Sequence, residues 1–259
     1  MTDGIELAID GAVARLTLGD GKRRNPVTMA MWREIPRAVA RASEHETVKV
    51  LILRGKAGHF GAGADISELP AILARASSAE SFGRAMIAAS EAIERLPIPV
   101  VAAIEGNCMG GSVPLALACD LRIADINAVM ALTPAKMGIV YPMEELRRVV
   151  RAVGAPRARD LLYTARTVAA DECLRIGLVD RLAPKAAFET LLEAVTEAIC
   201  AGAPITVRSV KAMVRTLDER AGAVEAADFD WFMRSALGPD LAEGYRAFLE
   251  KRPPRFPGT

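Results

Sequence analysis

The sequence predicts an α/β fold, because short apolar strands alternate with segments of helical periodicity along most of its length. The dipeptide Asp10-Gly11 separates two strand-like runs within residues 5–18, a pattern typical of a β-hairpin. Two later strands are each followed by a glycine-rich turn and then by helical sequence. From Pro156 onward the pattern is mainly helical, which predicts a helical C-terminal region.

The elements after the hairpin can be assigned in order. Pro26 is predicted to open a helix that runs to about Glu44 and that Pro36 kinks. Strands are predicted over residues 48–53, 100–104 and 121–124, and a second long helix over residues 78–96. The apolar face of the first helix comprises Met29, Trp32, Ile35 and Val39.

Composition argues against several classes of function. The 259 residues are 51% hydrophobic and 25% charged, as in ordinary globular proteins, and the net charge of +1 argues against nucleic acid or an anionic membrane as the main partner. No uncharged apolar run reaches the roughly 18–20 residues of a membrane span, and no secretory signal is visible. The four cysteines form no CxxC pair and have no histidine at ligand spacing. We therefore expect no metal site and a cytoplasmic protein.

Two glycine-rich turns are the most informative local feature. They span residues 59–66 and 106–114, and each follows a strand and precedes a helical segment. Glycine allows the backbone to approach a ligand closely and to present its N–H groups, and such an oxyanion hole can supply about 3–4 kcal/mol per donor in a transition state. A dinucleotide-binding loop is rejected, because Ile66 stands where that motif needs its third glycine. A turn without a function remains the alternative.

Six segments carry a further signal: residues 24–27, 60–66, 107–111, 118–124, 170–179 and 248–254. Together these segments resemble the crotonase (enoyl-CoA hydratase/isomerase) superfamily over nearly the whole chain. The resemblance implies a crotonase-like spiral of ββα turns in a core of residues 1–195, a helical C-terminal oligomerisation region of residues 196–259, and homotrimers or dimers of trimers.

The same resemblance implies an acyl-CoA thioester as the substrate, with no cofactor beyond its CoA moiety. In relatives the segment matching Ala62, Gly63, Ala64, Asp65 and Ile66 runs along the CoA. The resemblance places the oxyanion hole at the N–H groups of Ala64 and Gly111. It also implies that Arg23 or Arg24 meets the CoA phosphates, and that Phe248 or Lys251 reaches a CoA at a subunit boundary.

The chain departs from the family at the acid–base residues. Hydratases of this family use two glutamates, and at the matching positions this chain has Pro114 and Pro134. Proline has no acid, base or donor in its side chain, so hydration by the two-glutamate route is not expected. Both prolines suit the first turn of a helix, and Thr133 is predicted to cap the helix that Pro134 begins.

Tyr141 and Glu144 are the remaining candidates for chemistry. The segment from Thr133 to Tyr141 resembles the methylmalonyl-CoA decarboxylase branch, in which a tyrosine at this place contacts the acyl carboxylate. That branch carries a histidine at the position of Ala64 and a glutamate at that of Pro114. A structural alternative for Tyr141 is packing beside the next helix, and for Glu144 it is a capping-box position in that helix.

Four other polar residues near these segments are assigned structural positions. Asp65 is expected to cap or orient its turn, and His59 to lie on the surface. Ser112 lacks a nearby base and is not expected to be a nucleophile. Glu145 is expected to be solvated or paired with Arg148 or Arg147.

Two functions remain open from the sequence. The first is an enzyme that acts through a stabilised thioester enolate, by decarboxylation, isomerisation or another lyase step. The second is a non-catalytic acyl-CoA binder or carrier.

Overall fold

In the computed structural model, which describes residues 3–202, 204–219, 233, 237–252 and 254, a six-stranded sheet forms the centre of the molecule. The strand order is β1-β2-β3-β4-β6-β9; β1 and β2 are antiparallel and all other neighbours are parallel. The strands of this sheet are β1 Ile5–Asp10, β2 Val13–Leu18, β3 Val50–Gly55, β4 Val100–Ile104, β6 Leu121–Asp125 and β9 Arg181–Ala183.

The predicted hairpin is confirmed. Asp10 pairs with Val13, and the turn between them places Gly11 in the left-handed region with φ of 56°. The predicted strand at residues 48–53 begins two residues later, at Val50, whereas β4 has the predicted bounds.

A second, three-stranded sheet alternates with the first along the chain. Its order is β5-β7-β8, where β5 is Asn107–Met109, β7 is Val129–Ala131 and β8 is Val168–Ala169. The chain therefore passes from β4 to β5 and then into a helix, and again from β6 to β7 and then into a helix. This repeated order is the predicted ββα spiral, and the α/β fold class is confirmed.

The helices pack on both sides of the large sheet. The first begins at Met29, and the prediction that Pro26 opens it is wrong, because Val27 is held in extended backbone by a bridge to Ala64. Thr28 is the actual N-cap and accepts a hydrogen bond from the Met31 N–H at 3.2 Å. The helices are α1 Met29–Ser43, α2 Leu69–Leu73, α3 Ala76–Arg95, α4 Ser112–Leu117, α5 Pro134–Met137, α6 Met143–Val153, α7 Ala155–Thr164, α8 Ala170–Ile176, α9 Phe188–Ala201, α10 Pro204–Glu219 and α11 Pro239–Leu249.

Two apolar clusters form the core. The larger one includes the fully buried Trp32 of α1, and the smaller one packs Phe188 and Leu192 of α9 against the strands. The predicted domain boundary after residue 195 falls inside α9. None of the helices in the described ranges is long and apolar enough to cross a membrane.

The helix α11 lies against α5 and thereby over one end of the molecule. A Cβ at Gly244 would collide with the backbone of Met137, so the two helices approach closely. Leu241 of α11 is buried. This contact brings the C-terminal region to the site described next.

Candidate active site

The two glycine-rich turns pair with each other through their backbones. The Gly61 N–H donates to the Asn107 carbonyl at 2.9 Å, and the Met109 N–H donates to the Gly61 carbonyl at 2.9 Å. Gly61 is thus bridged to Cys108, and Ala64 and Gly111 each follow one of these two residues by three positions. The pairing therefore carries the two predicted oxyanion residues to the same side of the contact.

Only glycine fits at the closest point between the turns. Gly63 has a φ of +87°, and a Cβ there would lie 2.8 Å from the Met109 carbonyl oxygen and 3.1 Å from the Gly111 nitrogen. A larger residue would combine backbone strain with a steric clash, because both neighbours are backbone atoms.

Two N–H groups at this contact are left without a partner. Around them, the Gly63 N–H donates to Ser112 Oγ at 3.0 Å and the Gly110 N–H donates to the Ala131 carbonyl at 2.9 Å. Ala64 and Gly111 donate to no acceptor among the described residues. Because buried backbone donors are almost always paired, two unused donors at one place are the arrangement that a ligand oxygen would complete.

A cavity of about 320 Å³ opens beside these donors and is mainly apolar. Lys136 and Tyr141 are its ionisable lining residues, and no carboxylate is part of the described lining. The lining comprises Ala62, Gly63, Ala64, Ile66, Leu69, Phe82, Met86, Met109, Gly110, Gly111, Thr133, Pro134, Lys136, Met137, Ile139, Tyr141, Pro142, Leu241 and Phe248.

Tyr141 is buried and lines the cavity together with Ala64 and Gly111. Burial raises the pKa of the Tyr141 phenol, while hydrogen bonds from the backbone and hydroxyl of Thr133 act in the opposite direction. The burial effect is the larger, so the phenol is neutral at physiological pH and can act as a hydrogen-bond donor. Thr133 occupies the N-cap position of α5, but its side chain makes no capping hydrogen bond, so the predicted cap is wrong.

The two glutamates after Tyr141 lie elsewhere. Glu144 is the second residue of α6 and does not line the cavity, so its predicted capping-box position at the third residue is wrong. Glu145 holds that third position, is fully buried, and lies 3.0 Å from Arg148 Nη1, as the pairing predicted. Burial raises the pKa of Glu145 to about 7, which Arg148 and a hydrogen bond from Ser90 oppose. The alternative that Glu145 is solvated is wrong.

The two arginines predicted to contact the CoA phosphates, Arg23 and Arg24, differ in their hydrogen-bond partners. The Arg23 guanidinium makes two hydrogen bonds, at 3.2 and 2.8 Å, to the buried Asp65 carboxylate. Asp65 also accepts a hydrogen bond from the Ser67 N–H, so its predicted role in orienting the turn is confirmed. Burial acts to raise the pKa of Asp65, but the hydrogen bonds from Ser67 and Arg23 outweigh it and lower the pKa. Arg24 is exposed and has no described partner.

The remaining predicted CoA residues divide between the cavity and the surface. Ala62, Ile66 and Phe248 line the cavity, and Phe248 of α11 is 54% exposed. Lys251 is exposed beyond the end of α11 and does not line the cavity. The roles of all these residues toward CoA stay predictions.

Sequence reasoning missed the residues that hold the turns together. Asn25 is fully buried with φ of 59°, and its side-chain amide donates to the carbonyls of Lys56 at 2.6 Å and His59 at 2.7 Å. His59 is half-buried and not fully on the surface as expected, and its Nδ1 accepts a hydrogen bond from the Asn107 N–H at 3.1 Å. The polarity of these residues gave no signal of a structural task, because it depends on contacts between distant turns.

The apolar lining was missed for a different reason. Phe82 and Met86 of α3 showed only the helical spacing of a core face, and Leu241 comes from α11. Nothing in their periodicity distinguishes a cavity wall from a closed core.

Comparisons with known proteins match this chain to one family. The chain matches the family model described as enoyl-CoA hydratase/isomerase over residues 8–259. It is 35% identical to a Thermus thermophilus protein assigned as an enoyl-CoA hydratase, over 95% of this chain and 98% of that protein. The crystal structure of an enoyl-CoA hydratase/isomerase family protein from Hyphomonas neptunium aligns with a TM-score of 0.81 and 39% identity, covering 98% of this chain and 97% of that one. Methylmalonyl-CoA decarboxylase in complex with 2-nitronate-propionyl-CoA aligns with a TM-score of 0.87 over 100% of both chains, and at 24% identity it supports the fold alone.

Proposed function

The chain belongs to the enoyl-CoA hydratase/isomerase family, and from that premise we propose that it binds an acyl-CoA thioester and stabilises the enolate of its acyl group. The observation that carries the proposal is the pair of unused N–H groups at Ala64 and Gly111 beside an apolar cavity. A thioester oxygen that accepts both would gain negative charge as the enolate forms. Fixed donors in a site of low dielectric stabilise that charge more strongly than water does.

Hydration of a double bond is not the reaction that this site supports. Adding water needs a positioned base for the water and an acid for the α-carbon. The positions that match the family's two glutamates hold Pro114 and Pro134, and the described cavity lining contains no carboxylate. We therefore propose a lyase, decarboxylase or isomerase in place of an ordinary hydratase.

Decarboxylation suits the groups that are present. The bond between the α-carbon and an acyl carboxylate breaks, carbon dioxide leaves, and the electron pair passes into the thioester as an enolate. A proton from solvent then completes the α-carbon. The neutral Tyr141 phenol can donate a hydrogen bond that orients the carboxylate, and the apolar walls disfavour its charge before the bond breaks.

The CoA moiety is proposed to bind along the first glycine-rich turn. Since Asp65 already compensates the charge of Arg23, Arg24 is the better of the two candidates for a CoA phosphate. Phe248 contributes an apolar wall from α11.

We further propose that the chain acts in the cytoplasm and assembles as a homotrimer or a dimer of trimers. Light scattering of the purified protein would measure the mass of the assembly.

The experiment that tests this function is incubation with a panel of acyl-CoA thioesters followed by mass spectrometry. The panel contains malonyl, methylmalonyl, 2-enoyl and 3-enoyl thioesters. We expect loss of carbon dioxide or a shifted double bond from at least one of them. Conversion of a 2-enoyl thioester to its 3-hydroxy product, unaffected by substitution of Tyr141, would contradict the proposed chemistry.

A non-catalytic acyl-CoA binder is the second candidate function. The same absence of a carboxylate from the described cavity lining favours it, because binding needs the donors and the apolar walls but no acid or base. Tight binding of several thioesters by calorimetry, with no product from any of them, would select this candidate over the enzyme.

A further inference from the structure

A second cavity lies at the opposite edge of the large sheet. The glycine-rich turns follow the carboxyl ends of β3 and β4, whereas this cleft borders the amino ends of β4, β6 and β9. Asp120, immediately before β6, accepts a hydrogen bond from the Val100 N–H at the start of β4. Asp180 immediately precedes β9. The cleft has a volume of about 390 Å³, which is within the range of small-molecule sites.

The cleft is lined by more cations than carboxylates. Six cationic and three carboxylate side chains are among its described lining residues. Each carboxylate has a close cation within the cleft, and Glu94 is shared by two arginines. The pairs are Glu94 with Arg148 at 2.6 Å, Asp120 with Lys211 at 2.7 Å and Asp180 with Arg122 at 2.8 Å, and the other cations are Arg147, Arg151 and Arg215.

Two of the arginines of the cleft lie on one helix face. Arg147 and Arg151 are one turn apart on α6 and both line the cleft. Arg151 shares the Glu94 carboxylate at 3.4 Å, and Arg147 has no ion-pair partner in the described ranges. The buried Nε atoms of Arg122 and Arg147 have no described hydrogen-bond acceptor. Buried guanidinium donors without an acceptor are costly, so an anion in the cleft would be stabilised by supplying one.

We infer that this cleft binds a small oxoanion of the phosphate class, such as pyrophosphate or the phosphate group of a metabolite. Arginine presents planar, fork-shaped donors that match phosphate oxygens, and several guanidinium groups around one cleft favour a ligand with two or more negative charges. The site is separate from the proposed acyl-CoA site, because one lies at the carboxyl ends and the other at the amino ends of the parallel strands of the sheet. The inference does not depend on the proposed catalytic function.

The test is isothermal titration calorimetry of the full chain with inorganic pyrophosphate at low ionic strength. We expect one site per chain. Arg147→Gln and Arg151→Gln should each weaken binding by at least about tenfold, since each removes a charge-assisted hydrogen bond. Arg147→Lys keeps the positive charge but lacks the planar guanidinium with its paired N–H donors. This variant should weaken binding less than Arg147→Gln.

A matched control is available on α7. Arg157 and Arg159 are exposed, line none of the cavities described above and carry the same charge. Arg157→Gln and Arg159→Gln should leave pyrophosphate binding unchanged. Equal weakening by both pairs of substitutions would show binding by net charge alone and would overturn the inference.

A competition experiment separates this cleft from the CoA site. Pyrophosphate should bind with the same affinity and stoichiometry when the protein is saturated with free CoA. Displacement by CoA would mean that pyrophosphate occupies the CoA phosphate site, and absence of any pyrophosphate binding would mean that the cleft is no anion site. Either result overturns the inference, whatever the acyl-CoA panel shows.

Discussion

The cavity beside Ala64 and Gly111 and the cationic cleft lie at opposite ends of the parallel strands of the large sheet and are lined by chemically different groups. At the carboxyl ends, two neutral N–H groups face an apolar cavity whose described lining contains no carboxylate. At the amino ends, a cleft of similar size has six cations and three carboxylates among its described lining residues. The sheet is shared, so the difference lies in the turns and helices that each edge carries.

The two sites illustrate two ways of stabilising negative charge. A charge that develops only during a reaction is best met by fixed, neutral donors, which cost little while the substrate is uncharged. A permanently charged ligand needs full counter-charges to replace its hydration. The helix α6 borders both sites, since Pro142 precedes it at the cavity and Arg147 and Arg151 extend from it at the cleft.

The largest expected effect comes from pushing the two glycine-rich turns apart. Gly63→Ala places a Cβ within 2.8 Å of the Met109 carbonyl oxygen and 3.1 Å of the Gly111 nitrogen. We expect turnover of the acyl-CoA substrate to fall by about 10²–10³-fold, the effect of losing one oxyanion donor. Steady-state kinetics on the substrate identified from the panel would measure it.

The control for this substitution is Gly11→Ala. Gly11 also has a left-handed φ of +56°, but a Cβ there would meet nothing within 4 Å. Both variants carry a strain of about 1–2 kcal/mol, so only the contact differs. Similar losses of turnover in the two variants would mean that backbone strain causes the effect. The close approach of the two turns at Gly63 would then not explain it.

A substitution at the amino ends of the strands should lower the stability of the fold without changing the cavity beside Ala64 and Gly111. Lys211 is almost buried and donates to Asp120 at 2.7 Å and to the carbonyls of Ile98 and Ile93 at 3.0 and 3.3 Å. Lys211→Met leaves these acceptors without their donor, and we expect a loss of about 2–3 kcal/mol in the free energy of unfolding. Urea denaturation would measure this loss, with the exposed Lys185→Met as the control. An equal loss in both variants would contradict the role of Lys211 in attaching α10.

Tyr141→Phe should reduce turnover without unfolding the protein. The phenol ring remains to fill the buried space, and only the hydroxyl donor is lost. A hydrogen bond to a charged group is worth about 1.5–3 kcal/mol, so we expect turnover to fall by at least about tenfold on a thioester whose acyl group carries a carboxylate. Tyr163→Phe, at a side chain that is 74% exposed, should have no effect. Unchanged kinetics in Tyr141→Phe would remove the proposed role of the hydroxyl.

The last expected effect is a pH dependence of stability from Glu145. Burial raises its pKa from 4.5 to about 7 in the folded state, so between these values the folded protein binds more protons than the unfolded chain. The contribution of Glu145 to stability is therefore present below about pH 4.5 and is lost as the pH rises through about 7.

Glu145→Gln should remove this trend. Its Tm relative to the parent protein is expected to increase steadily from pH 5 to pH 8, as measured by calorimetry. The exposed Glu46→Gln should show a constant difference over the same range. A relative Tm of Glu145→Gln that falls with pH would mean that Arg148 lowers the pKa of Glu145 more than burial raises it.

Much of the fold was predictable because its signals are local. The hairpin at Asp10-Gly11 and the strand β4 follow from turn chemistry and from patterns that span a few residues, whereas the ββα order was implied by the family resemblance. The start of α1 was not predictable in this way. The residues before it are held extended by pairing with Ala64, which is distant in sequence.

The sequence by itself determined the positions of the two glycine-rich turns, the prolines at the positions that the resemblance matches to the family's glutamates, and Tyr141 as the candidate donor. These features depend on the chemistry of single residues, which a sequence states directly. Only the tertiary structure decided that Ala64 and Gly111 keep unused donors on one cavity, that Glu144 lies outside it, and that α6 and the amino ends of the strands gather cations in a second cleft. The physical reason is that burial, hydrogen-bond partners and local charge arise from contacts between distant segments, which the order of residues along the chain does not display.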